Sequence, residues 1–393
     1  MKTVGIICEY NPFHNGHQRQ LRRIRELVGE DTAVVCVMSG DFVQRGAPAL
    51  YPKELRAETA IRGGANLVLE LPVTYALRSA EGFADGGVEI LDGLGICDLL
   101  SFGCEREGDF LKTAELLDSE ELRGPLHEAL DAGLPFPAAR QRALEAVGGD
   151  GGLLTMPNTT LAVEYAKAIR RRGSRMALLP ILREGDYHAE TPDPEQPSAS
   201  SLRMCADFLP FVPEETRDCY SEEPQYRPEY GERAILARLR GLTEAEFSGV
   251  PFGSEGLWRK VYRACASCES TEEIIRAAKS KRYPYTRLSR LLLCAYLGIT
   301  EDEMAASAPY VRVLGFDETG RKLLKACREV GNISLLNAGQ TPPESAYAAL
   351  ERRCRGLYAL FCAEHPGRIR KDQVFSAEKM KKSTCKSDCS MLL

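Results

Sequence analysis

The chain has 393 residues, enough for two or three domains with cores of their own, and its 44% hydrophobic and 27% charged residues are those of an ordinary soluble globular protein. A net charge of −5 and a sequence pI near 5.8 exclude a polycation that holds nucleic acid by charge alone, so any such contact must be local. No apolar run approaches the roughly eighteen residues of a membrane span and no signal-peptide pattern is seen, so a cytoplasmic protein without membrane contact is expected.

Val4 to Cys8 read as a buried strand, and Asn11-Pro12 as the turn that ends it. His14-Asn15-Gly16-His17 follows, where an amphipathic helix carrying Leu21, Ile24 and Leu27 begins. A helix N-terminus offers unpaired N–H groups and the positive end of the macrodipole to a phosphate chain. Gly16 removes a side chain that would hold phosphates away. Two imidazoles three positions apart can donate to an α-phosphate and its bridging oxygen as charge moves onto pyrophosphate. The alternative is a turn with incidental histidines. Two of only five histidines falling directly behind the first strand favour chemistry at an α-phosphate.

Ala33 to Met38 is a second buried strand, followed by the polar, glycine-flanked segment Asp41 to Gly46, where open α/β sheets carry ligand loops. Arg45 there is either a clamp for an anionic group or a surface arginine. Pro52 to Gly63 has helical spacing, Asn66 to Pro72 reads as a third strand, Ser79 to Leu94 as a helix, and Cys97 to Gly103 as a fourth strand ending in glycine. This alternation argues for a parallel, doubly wound sheet. Phe110 to Val147 is helical and is closed by the glycine-rich joint Gly148 to Gly152, so 110–152 is expected to be a helical insertion. Pro157-Asn158 opens a helix through Arg172, and Arg175 to Leu182 is a fifth strand that delivers Arg183 at its carboxyl end. Asn158 can read an adenine or ribose edge or act near a helix cap, Arg183 can take phosphates bidentately, and Arg170-Arg171-Arg172 are ordinary helix-terminal cations. After Asp186-Tyr187-His188 and a proline-rich loop from Thr191 to Pro197, Ser198 to Arg203 clusters hydroxyls one turn before an arginine. Ser200, Ser201 and Arg203 can hold the leaving phosphates, and an ordinary serine cap is the alternative.

From Asp207 the alternation is expected to stop. Helical patterns run over Glu229–Arg240, Glu255–Ala266, Thr271–Ser280, Thr286–Leu297 and Pro343–Cys362. Within them Arg276 to Arg290 holds six basic residues, no acids and two tyrosines around Pro284, a composition that suits RNA or a solvated basic face. The expected organisation is an α/β nucleotide-binding domain over 1–205, a mainly helical domain over 206–378, and a lysine-rich, disordered tail over 379–393. Most of the fourteen cysteines sit in apolar runs, Cys265-Ala-Ser-Cys268 lacks a second partner pair, and Cys385 and Cys389 lie in the tail, so buried free thiols are expected rather than a metal site.

The first tetrad with Ser198 to Arg203 resembles the nucleotidyltransferase superfamily that includes class I aminoacyl-tRNA synthetases. The longer strings EYNPFHNGH, MSGDFVQRG, NLVLELP, MPNTTLAVEY and KRYPYTRLSR are together similar to the bacterial tRNA(Met) cytidine acetate ligase family. The resemblance implies a Rossmann-like nucleotidyltransferase domain, activation of acetate as acetyl-adenylate with ATP, and transfer of the acetyl group to N4 of the wobble cytidine of elongator tRNA(Met). ATP, accompanied by Mg2+, is the implied co-substrate, with no protein-held metal. His14 and His17 match the signature histidines. Ile7-Cys8-Glu9-Tyr10-Asn11-Pro12-Phe13-His14-Asn15-Gly16-His17-Gln18-Arg19-Gln20 would form the ATP segment, joined by Gly103, Asn158 and Arg183. Lys279, Lys281, Arg282, Tyr283, Tyr285, Arg287 and Arg290 are the candidates for RNA. Arg45, Lys53 and Arg56 are further candidates for carboxylate or RNA contacts. The chain departs from the family at Gln20, where members carry histidine, and at Glu54, where they carry tryptophan. Two other readings are a small-molecule adenylyl- or cytidylyltransferase, which needs no RNA surface, and a nucleotide-gated RNA-binding protein, which needs no imidazole pair.

Overall fold

The computed structural model describes residues 1–183, 197–221, 223–337, 340–369 and 375–376. Asp186, Tyr187 and His188, the proline-rich loop up to residue 196 and the tail with Cys385 and Cys389 lie outside the described residues. In chain order the elements begin with β1 (Thr3–Cys8), α1 (Asn15–Val28), β2 (Ala33–Ser39), a hairpin of β3 (Phe42–Val43) and β4 (Ala47–Pro48), α2 (Lys53–Arg62), β5 (Leu67–Leu71), α3 (Val73–Ala76), α4 (Ala80–Gly93) and β6 (Leu99–Cys104). Helices α5 (Phe110–Leu117), α6 (Arg123–Asp131) and α7 (Phe136–Ala146) then precede α8 (Pro157–Arg172) and β7 (Ala177–Leu182). The C-terminal half contains α9 (Ala199–Met204), α10 (Arg217–Ser221), α11 (Pro228–Gly241), α12 (Glu244–Ser248), α13 (Leu257–Ser267), α14 (Thr271–Ala278), α15 (Tyr285–Leu297) and α16 (Glu301–Ala305). It ends with β8 (Val311–Phe316), α17 (Glu318–Val330), β9 (Leu335–Leu336), α18 (Ala346–Tyr358) and β10 (Phe375–Ser376).

β1 and β2 are apolar on both faces because helices cover both sides of the sheet, the pattern that parallel strands require. Five strands pair in parallel in the order β5-β2-β1-β6-β7. Chain direction reverses its lateral progress between β1 and β6, which opens a crevice at the carboxyl ends of those strands. One face of the sheet packs on α4 and α8 through Phe83, Val88, Leu91 and Tyr165; the other packs on α1 and α2 through Leu21, Ile24, Ala57 and Ile61.

The expected end of the alternation at Asp207 does not hold. β8 pairs antiparallel with β5, α17 returns Leu323, Leu324 and Cys327 to the main core, and β9 and β10 pair with β8. A six-residue strand between helical runs carries too short a two-residue period to be separated from one apolar turn of helix. The remaining helices α11, α13, α14, α15 and α18 form their own core around Leu239, Val261, Ile274, Leu291 and Phe361, which Phe42 of the hairpin also enters. Between the two bodies, Leu202, Phe208, Val212 and Tyr220 cross over Leu50, Tyr51 and Leu55. The segment 110–152 is helical throughout its regular elements and is pinned to α8 by Arg140 and Glu164 at 2.6 Å. Among the described residues no helix is long and apolar enough to cross a membrane.

Candidate active site

The chain leaves β1 through Tyr10, whose φ of 46° lies in the left-handed region, and a cis Asn11–Pro12 bond. Asn11 Oδ1 accepts the Leu50 N–H at 2.7 Å, and the Tyr10 ring meets Phe13 edge-on with centroids 5.0 Å apart. His14 then caps α1. Its Nδ1 accepts the Gly16 N–H at 3.1 Å, while His17 Nδ1 accepts the His14 N–H at 3.3 Å, a capping box built from two imidazoles. The rings stack with centroids 3.7 Å apart and planes at 24°. An Nδ1 that accepts places the ring proton on Nε2, so each histidine keeps one donor for a ligand.

Both rings are held neutral. Burial, followed by the charges of Arg183 and Arg203, lowers His14 to about 3; burial, then His14 and Arg183, takes His17 well below its ordinary value. Neutral donors can bind an anionic ligand without themselves titrating near neutral pH. Gly16 has a second reason to be glycine, since a Cβ there would stand 3.0 Å from His14 Cε1 and disturb the stack.

The other residues of the segment divide by burial and use. Ile7 packs into the core against Gly87, and Cys8 lies with Cys36 and Tyr10, its thiol pushed well up by burial and therefore protonated. Glu9 accepts the Gln44 N–H at 2.8 Å on its carboxylate and an Arg56 donor at 2.6 Å on its carbonyl. Gln18 donates to Glu215, Arg19 is exposed, and Asn15 and Gln20 are half-buried.

Gly103 and Arg183 meet across β6 and β7: a Cβ on Gly103 would lie 3.2 Å from Arg183 Cγ and Cδ, so the arginine stem passes over the glycine. Arg203 reaches from α9 to the Asn11 carbonyl at 2.9 Å and to Ser200 Oγ at 3.1 Å. Ser198 caps α9, and Ser201 is tied back to it through its N–H and its hydroxyl. Asn158 is committed in part. Glu105, just beyond β6, accepts its N–H at 3.1 Å and its Nδ2 at 2.6 Å, together with the N–H and hydroxyl of Thr159 at 2.7 Å each. Burial alone would raise Glu105, but the hydrogen bonds from Thr159 and Asn158 hold it below the usual carboxylate range. Glu105 was not singled out in the sequence; the signal was an acid directly after the strand-ending Gly103-Cys104.

Lys53 and Arg56 point inward. Lys53 Nζ pairs with both Glu70 oxygens at 2.8 and 3.0 Å, and Arg56, fully buried, donates to the carbonyls of Tyr51, Glu9, Ser39 and Gly40. The candidates for RNA also divide. Lys279 and Lys281 are exposed, Arg282 pairs with Glu255 at 2.6 Å, and the Tyr285 hydroxyl donates to Glu272 at 2.9 Å. Tyr283 packs on the helical core beneath Arg287, and Arg290 is buried. Arg290 therefore does not share the exposed face on which the sequence would place it.

A parallel sheet with its crevice beside β1 and an imidazole capping box at the start of α1 defines a nucleotidyltransferase of the HIGH type. The HIGH Nucleotidyl Transferase family model matches residues 1–372. A tRNA(Met) cytidine acetate ligase of Acetivibrio thermocellus is 34% identical over 366 residues, covering 86% of this chain and 88% of that protein, and one of Clostridium perfringens is 35% identical over 389 residues, covering 91% and 95%. The crystal structure of apo Thermotoga maritima TmcAL superposes with a TM-score of 0.86 at 27% identity, covering 96% of this chain and 99% of that one. The same protein bound with alpha-thio ATP gives 0.83 at 27% identity, covering 96% and 100%. The chain belongs to the tRNA(Met) cytidine acetate ligase family.

Proposed function

We propose that this protein is an ATP-dependent ligase that activates acetate as acetyl-adenylate and transfers the acetyl group to N4 of the wobble cytidine of elongator tRNA(Met), giving N4-acetylcytidine. The observation that carries the chemistry is the pair of neutral, stacked imidazoles whose Nε2–H donors make no hydrogen bond among the described residues. An acetate oxygen attacks the α-phosphorus, the bond to the bridging oxygen breaks, and pyrophosphate leaves with the charge that His14 and His17 meet as donors. Arg183 and Arg203, close enough to depress His14, add positive potential around the departing phosphates. Gly103 leaves room for the nucleotide beside Arg183, and the carbonyl of Asn158 is available to the adenine or ribose because its amide nitrogen is held by Glu105.

The second step needs no protein nucleophile. The N4 amine forms its bond to the acetyl carbon, AMP departs, and the amine loses a proton; holding both groups side by side supplies most of the advantage. Lys279 and Lys281 are the exposed tRNA contacts of this reading, with Arg282 and Tyr285 exposed beside them but bound to Glu255 and Glu272. Mg2+ would arrive on the triphosphate. Among the described residues no group of three or more His, Cys, Asp or Glu is placed to hold a metal ion.

Pyrophosphate release from ATP is measured with acetate, with and without elongator tRNA(Met), followed by mass analysis of the tRNA nucleosides. Acetylcytidine that disappears in His17→Ala supports the ligase. Pyrophosphate released only with another small phosphate, with unmodified tRNA, would replace it with a small-molecule nucleotidyltransferase.

A further inference from the structure

The exposed cations at 279–283 have neighbours on α13. Lys260 Nζ donates to the Ala278 carbonyl at 3.1 Å, which seats the polar face of α13 against the start of that loop. On the same helix Arg259 and Arg263 are exposed one turn apart, and Arg259 stands 4.8 Å from the ring centroid of Trp258, itself half-buried against the helical core. Among the described residues Arg259, Arg263, Lys279 and Lys281 have no carboxylate partner, whereas Arg282 is spent on Glu255 and Arg276 on Glu272. These four exposed cations make a local positive patch in a chain of net charge −5, a surface that an anionic partner would find.

This face is connected to the ATP segment through a chain of contacts. Arg287 donates to the Phe252 carbonyl at 3.1 Å and to Ser254 Oγ at 2.8 Å, fixing the loop before α13 on the first turn of α15. One turn on, buried Arg290 reaches the Gln44 carbonyl at 3.4 Å, and the Gln44 N–H donates to the Glu9 carboxylate at 2.8 Å. At Gly46, with φ +81°, a Cβ would lie 2.6 Å from the Arg290 nitrogen, so hairpin and helix touch backbone to backbone.

We infer that α13 and the loop at 279–283 form one RNA-docking face, with Arg259, Arg263, Lys279 and Lys281 on phosphates and the Trp258–Arg259 stack beside an unpaired base, held in register with the ATP segment through Arg290, Gln44 and Glu9. The inference rests on the proposed tRNA substrate and adds a helix to its contact surface. Cations interleaved with an aromatic ring suit a single-stranded nucleic acid, whose backbone and bases each find a partner.

Trp258 is the only tryptophan of the chain, so its emission reports on this face without a label. Titration of the full chain with elongator tRNA(Met) is expected to quench that emission. The double variant Arg259→Glu/Arg263→Glu is expected to weaken binding about tenfold or more and to flatten log K against log salt by roughly 1.4–1.8, the share of two phosphate contacts. Lys322→Glu/Lys325→Glu makes the same change of charge on exposed α17 and should keep the wild-type slope. Unquenched emission, an unchanged slope in the α13 variant, or an equal loss in the α17 variant would each overturn the inference. Acetate-dependent ATP–pyrophosphate exchange separates it from the reading beneath: quenching without exchange removes the ligase and keeps the face, and exchange without quenching does the reverse.

Discussion

At the ATP segment each imidazole uses one nitrogen to accept a backbone N–H and holds the other in reserve. On the helical side many arginines have committed most of their donors: Arg287 to Phe252 and Ser254, Arg353 to Leu297 and Gly298, and Arg355 to Asp41 and Glu54. A side chain oriented by one bond with another unspent is prepared for a ligand. A side chain with its donors consumed holds the architecture together. The two regions should therefore fail differently when mutated, the first in rate and the second in stability.

The largest effect is expected where the two regions are joined. Arg355 of α18 reaches Asp41 behind β2 at 2.7 and 2.9 Å with both groups buried, and Asp41 is held below its usual range because the Arg355 and Lys53 charges outweigh its burial. Arg355→Ala leaves that carboxylate without its main counter-ion and should cost about 3–5 kcal/mol of unfolding free energy. Denaturant unfolding checks this; a loss below about 1 kcal/mol would mean that the Arg355–Asp41 pair contributes little to joining the bodies. Next in size, His17→Ala would remove, on the proposed chemistry, one donor from the departing pyrophosphate. It should slow acetate-dependent exchange about 10²–10³-fold, or about 2.7–4 kcal/mol in the barrier, with a much smaller change in stability. A variant that lost stability and rate in proportion would erase the distinction between the regions.

The contrast also explains what could be read from the sequence. The five parallel strands, α1 with its tetrad, and the helices between Phe110 and Ala146 were legible because each carries a local signal: a β-branched run, a period of 3.6, or a glycine or proline boundary. β8 was not, because its place beside β5 depends on pairing across some 240 residues of intervening chain, which no local period encodes. His14, His17, Gly103 and Arg183 do come together, since each stands at a strand end or helix start where backbone position fixes side-chain position, and Arg203 joins them from the last turn of α9 through the Asn11 carbonyl. Lys53, Arg56 and Arg290 look like any other surface cation in sequence. Their burial depends on acceptors such as Glu70, the Ser39 carbonyl and the Gln44 carbonyl that arrive from distant elements. Charge announces itself in a sequence, whereas its neutralisation is a tertiary fact.

Arg290 tests this distinction at smaller scale. Among the described residues it is buried with its Nε unpartnered and one long hydrogen bond, to Gln44, and burial lowers it to about 10. Because little compensates its desolvation, Arg290→Met, which keeps the stem over Phe252 and removes the charge, should leave stability within about 1 kcal/mol of wild type or raise it. Thermal unfolding decides, and a clear loss would show that the Gln44 contact carries more than its length suggests.

The smallest effect expected on rate comes from pH, and there rate and stability should part. His14 and His17 have folded values well below 6.5 because both rings are buried beside positive charge. As pH falls through 6.5 the unfolded chain takes up protons at these positions while the folded one does not, so stability declines, by roughly 0.5–1 kcal/mol per histidine between pH 7 and 6. Over the same interval the imidazoles of the folded enzyme stay neutral and keep their Nε2–H donors. Pyrophosphate exchange should therefore show no limb with a midpoint near 6.5, and chemical denaturation over that range should show a falling midpoint that His14→Asn and His17→Asn make shallower. An exchange profile that titrates near 6.5 would mean that one ring is charged in the working enzyme, and the reserve of the ATP segment would then be a proton as well as a hydrogen bond.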